Sequence, residues 1–67
     1  MELTLVAKDP DSIPDGSPTL YWTDRQTWVV QGWAVTDRTV LAALDLPEDE
    51  TCVEIPDRLV PFFQTPR

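Results

Sequence analysis

Four groups of residues are of types that can do chemistry. The first is Asp9-Pro10-Asp11 with Asp15-Gly16, an oxygen-rich run that invites a calcium reading. Its spacing fails, because an EF-hand-type loop starting at Asp11 would need an oxygen ligand at Ile13 and a glutamate at Trp22. An aspartate-rich turn is the simpler account. The second group, Glu48, Asp49, Glu50 and Glu54, offers paired carboxylates, but acids crowded on a polar turn lack the burial that a general acid needs. The third is Cys52, the single cysteine, which has no base beside it because the chain contains no histidine. One thiol and no imidazole also leave tetrahedral zinc without a ligand set. Two glycines, sixteen residues apart, make no phosphate-cradling loop. The expectation is a protein that is not an enzyme and that takes no metal, cofactor or small molecule.

The fourth group is YWTDRQTWVVQGW, residues 21–33, which packs three tryptophans and a tyrosine into thirteen positions. Large rings bury much area at low rotamer cost, so they concentrate at protein interfaces, and they also stack on bases and sugars. Charge disfavours nucleic acid: twelve acids against five bases give a net charge of −7, which a phosphate backbone repels. Only Arg25 and Arg38 lie near the rings in sequence. A protein surface, or a second copy of the chain, is the partner that these residues suit.

The elements that must position the rings can be read from periodicity. Residues 2–8 alternate as a strand, with Leu3, Leu5 and Ala7 on one side and Thr4, Val6 and Lys8 on the other. Residues 9–18 hold three prolines, three aspartates and a glycine and read as a loop. A hairpin follows. If Thr23 faces Thr27 across Asp24-Arg25-Gln26, then Trp22 opposes Trp28, Tyr21 opposes Val29, and Leu20 opposes Val30. One face then carries Leu20, Trp22, Trp28, Val30 and Ala34, and the other carries Tyr21, Val29, Gln31, Trp33 and Val35. Both are apolar, so each must be covered by something. Gly32, inside this strand, marks a bulge or a place where a bulky neighbour lies against the backbone.

Thr36-Asp37 reads as a helix start and Leu46-Pro47 as its end, with Val40, Leu41 and Leu44 forming one stripe. Thr51 to Ile55 alternates as a short strand whose Glu54 marks an edge or a solvated face. Arg58 to Gln64, opened by Pro56-Asp57, is either a second helix weakened by Pro61 or an irregular turn displaying Leu59, Phe62 and Phe63. Residues 65–67 are expected to fray.

With 67 residues there is room for one domain, 1–67, with a small core. The fold class is α+β: a small antiparallel sheet of three or four strands with a central aromatic hairpin, one short helix and a C-terminal turn or helix. An unpaired cysteine, no basic segment leading into an apolar run and no apolar stretch near 18 residues predict a cytoplasmic location without membrane insertion.

Several strings can be compared with known proteins. Leu3-Thr4-Leu5-Val6-Ala7-Lys8-Asp9-Pro10, Ser17-Pro18-Thr19-Leu20-Tyr21, Val29-Val30-Gln31-Gly32-Trp33 with Val35-Thr36-Asp37, and Leu46-Pro47 with Glu54-Ile55-Pro56 resemble a group of small acidic actinobacterial proteins of unknown function, of the kind encoded beside helix-turn-helix regulators. The resemblance covers most of the chain and implies a cytoplasmic, non-enzymatic accessory of a regulator, with no catalytic residues. Residues 61–67 lack the longer C-terminal helix of that group.

The expected function is therefore a non-catalytic protein-interaction module that uses the hairpin face of Leu20, Trp22, Trp28 and Val30 to meet a protein partner or a second copy. The alternative is an acidic decoy that occupies the DNA-binding surface of a basic regulator. Residues 19–40 sum to zero charge between acidic flanks, as at an interface centre ringed by charge.

Overall fold

The computed structural model describes residues 1–11 and 18–67, so most of the expected 9–18 loop lies outside the described residues. Strand β1 (Leu3–Lys8) pairs antiparallel with β2 (Thr19–Thr23), and β2 pairs antiparallel with β3 (Trp28–Gln31), giving a three-stranded sheet with β2 in the centre. The hairpin has the expected register, with Leu20 opposite Val30, Tyr21 opposite Val29, and Trp22 opposite Trp28.

Its turn explains why. The Thr23 amide donates to the Thr27 carbonyl at 3.0 Å, and the two hydroxyls meet at 2.6 Å. The Thr23 hydroxyl also accepts from the amides of Arg25 and Thr27, while Gln26 takes the left-handed conformation, φ 60°, that closes a three-residue hairpin loop. A threonine pair thus supplies the polar partners that the tight loop would otherwise leave unmet.

β1 departs from simple alternation. A bulge between Leu5 and Ala7 flips its parity, so Leu3 and Leu5 share the face of Tyr21 while Ala7 sits opposite Leu20. The expected grouping of Leu3, Leu5 and Ala7 on one side is therefore corrected.

The chain does not continue β3 into one longer strand. After Gly32 it starts β4 (Trp33–Ala34), which leaves the first sheet and pairs with β5 (Val53–Glu54) as a separate two-stranded ribbon. A Cβ on Gly32 would stand 2.7 Å from the Glu54 carbonyl oxygen and 2.9 Å from Val53 Cβ, so glycine is there for close approach of β5. Between the two ribbon strands lies α1 (Arg38–Leu44). Asp37 caps it, accepting from the amides of Thr39 and Val40, and Asp45 ends it in the left-handed region.

The C-terminal element is a 3-10 helix over Asp57–Gln64 that contains Pro61. Pro56 holds the cap position, and its carbonyl accepts from the Leu59 amide at 3.0 Å. A proline in the body removes one backbone donor, and the tighter three-residue turn accommodates this where an α-helix was the competing expectation. This helix packs on β1 and β2. Arg58 anchors it through a bidentate pair with Asp9, Nε to Oδ1 at 2.5 Å and Nη2 to Oδ2 at 2.6 Å, across 49 residues of sequence.

Gly32→Ala tests the close approach. At an unconstrained site this change would stabilise slightly through the unfolded state; here overpacking against the β5 backbone is expected to cost about 1–3 kcal/mol in urea unfolding. A gain in stability would contradict the contact.

Candidate protein-docking surface

The inner face of the sheet is built from Leu20, Trp22, Trp28 and Val30, with Ala7 from β1. Leu20 and Leu59 are the hydrophobic residues at 0% exposure among the described residues. Around them the rings form a chain: Trp22 meets Trp28 edge-on at 6.2 Å, and Trp28 meets Phe63 of the 3-10 helix at 4.9 Å. Arg67 closes the end, its guanidinium 5.5 Å from both indole centroids and donating to the Thr27 carbonyl at 3.0 Å. Arg67 belongs to the stretch 65–67 expected to fray, and its side chain lies on the hairpin.

These contacts place the four residues of the expected docking face on the side of the sheet that the 3-10 helix approaches. Leu20 is buried in the core, Trp22, Trp28 and Val30 are part-buried, and the two indoles are met by Arg67 and, at Trp28, by Phe63. The physical reason is the Arg58–Asp9 pair. Asp9 follows β1 directly, its side chain is fully buried, and its amide donates to the Pro18 carbonyl at 2.8 Å, so the helix that carries Arg58 must settle on the Leu20 side. The hydrogen bonds it donates to Asp9 hold the Arg58 guanidinium above its ordinary pKa, desolvation opposes this, and the charges of Asp9 and Asp11 add to the rise. Trp22 Nε1 is buried without an acceptor, a deficit that costs about 1–3 kcal/mol and makes a thin core thinner.

Apolar surface remains open on the 3-10 helix at Val60 and Phe62, at Trp33, and in two further places. One is the outer face of the sheet, where Leu3 and Leu5 are 49% and 60% exposed beside Tyr21 and Val29. The other is a cleft of about 410 Å³ between α1 and the ribbon, lined by Val35, Val40, Leu44, Cys52 and Val53 with Asp37 and Glu54. Here α1 buries none of its residues; Val40 and Leu44 are 43% and 49% exposed and Val53 is 41% exposed. The stripe Val40, Leu41 and Leu44 was legible as a helical apolar face, but not as an unfilled one.

The cleft can hold apolar groups between two carboxylates, and its thiol, Cys52, is free and partly accessible. Among the described residues no three His, Cys, Asp or Glu side chains gather as a metal-ligating group. No helix among them is long and apolar enough to cross a membrane.

The assignment of faces is testable by paired truncations. Leu20→Ala should cost about 2–5 kcal/mol in denaturant unfolding, as for a core leucine, and Leu5→Ala should stay within about 0.5 kcal/mol of the parent, as at a surface site. Equal losses would contradict the inner and outer assignment.

Comparison of the chain with protein-family models, curated proteins and solved structures finds no match.

Proposed function

We propose that this chain is a non-catalytic protein-interaction module that docks a protein partner in the cleft between α1 and the β4–β5 ribbon. The observation that carries the reading is an apolar cleft left open: Val40, Leu44 and Val53, 43%, 49% and 41% exposed, converge on one concave site that Val35 and Cys52 also line. A cytoplasmic setting suits the free Cys52, which stays a thiol there, and a regulator of the kind the resemblance implies is one such partner.

The test is a reconstituted pair. The partner is captured from producing cells, purified separately, and titrated against the parent, the double variant Val40→Asp/Leu44→Asp, and Leu5→Asp, with circular dichroism confirming the fold of each. Cleft substitution is expected to weaken binding more than about tenfold while Leu5→Asp leaves it unchanged. Binding that survives the cleft variant, or that falls steeply with salt alone as an acidic decoy would, overturns the reading.

A further inference from the structure

Both walls of the cleft are apolar, but its surroundings are strongly one-signed. Residues 35–55 contain six acids, Asp37, Asp45, Glu48, Asp49, Glu50 and Glu54, against the single base Arg38, so five of the seven net negative charges belong to the segment that builds the cleft. Asp37 and Glu54 line it directly. The other four acids lie at the end of α1 and on its connection to β5, all exposed. The C-terminal segment, residues 56–67, is net positive by one charge, so the acidity is local rather than a uniform coat.

This charge placement bears on the occupant. A second copy docking by the same patch across a two-fold axis would bring acidic rim against acidic rim, which costs free energy where water is excluded. An uncharged apolar segment would fill the cleft and leave the rim unused. A segment that inserts aliphatic or aromatic side chains and carries cations on its flanks satisfies both the floor and the rim. The volume, about 410 Å³, falls in the range of about 300–1,000 Å³ that ligand pockets occupy.

Resting on the docking function proposed above, we infer that the cleft between α1 and β5 receives a basic amphipathic segment of a partner protein, with apolar side chains inserted between Val40, Leu44 and Val53 and Lys or Arg side chains facing Asp37 and Glu54. The apolar insertion supplies most of the affinity, and the rim charges set orientation and association rate.

The experiment is selection of a displayed random dodecapeptide library on the immobilised full chain, followed by titration of the recovered peptides as free synthetic peptides. The expected consensus has two or more large apolar residues with flanking Lys or Arg. Binding should be lost in Val40→Asp/Leu44→Asp, weakened about tenfold in Glu54→Lys and weakened by added salt, and unchanged in Leu5→Asp. Asp37 is left intact because it caps α1. Peptides that map to the cleft but are neutral or acidic, or that ignore Glu54→Lys, overturn the inferred chemistry and leave the docking site standing. Recovery of no peptide, or of peptides that ignore the cleft variant, overturns both. Concentration-dependent dimerisation abolished by Val40→Asp/Leu44→Asp makes the occupant a second copy and overturns the inference.

Discussion

Eight residues of 3-10 helix, Asp57 to Gln64, provide the cover for a three-stranded sheet, and the Arg58–Asp9 ion pair decides which side they cover. Asp9 is buried where β1 ends, so its carboxylate needs a compensating cation, and Arg58 supplies one from 49 residues away. Once that helix lies on β1 and β2, Leu59 is sealed, Phe63 reaches Trp28, and the terminal arginine can lie over both indoles. The covering material is then used up. The outer leucines and, on α1, Val40 and Leu44 are left open, as expected of a short chain with much surface for its interior.

Local physics was legible in the sequence, and long-range physics was not. The hairpin register followed from Thr23, the three-residue loop and Thr27, because turn length and cross-strand pairing are settled within a dozen residues. The α+β class and the order of elements followed in the same way. The covered face did not, because it depends on a pair 49 residues apart, and either side of the hairpin had the composition of a core. The bulge at Val6 was hidden because parity in a strand cannot be counted past an extra residue. Gly32 was readable as a close approach, yet its consequence, a strand leaving one sheet for another, needed β5 to be placed. The Val40, Leu41 and Leu44 stripe was visible, but an apolar stripe looks the same whether it is buried by the chain itself or left for something else.

The molecule therefore divides its labour. The sheet and the 3-10 helix hold the fold with a core centred on Leu20 and Leu59, while α1 and the ribbon contribute little burial and carry most of the negative charge. Segments at the low end of local stability are where binding surfaces are found, because a partner can supply the contacts that the fold omits. The tryptophans, the most conspicuous feature of the sequence, act mainly as structure: Trp22 and Trp28 complete the thin core, and Trp33 stands where the chain turns into the ribbon, 45% exposed.

Native-state amide hydrogen exchange tests this division most directly. The amides of Leu20, Tyr21 and Trp22 should exchange only through global unfolding, whereas those of Leu41 to Leu44 should exchange through local opening, faster by orders of magnitude and independently of denaturant at low concentration. Protection in α1 equal to that of the central strand would mean that the helix is already packed, and would contradict the claim that its apolar face is left for a partner.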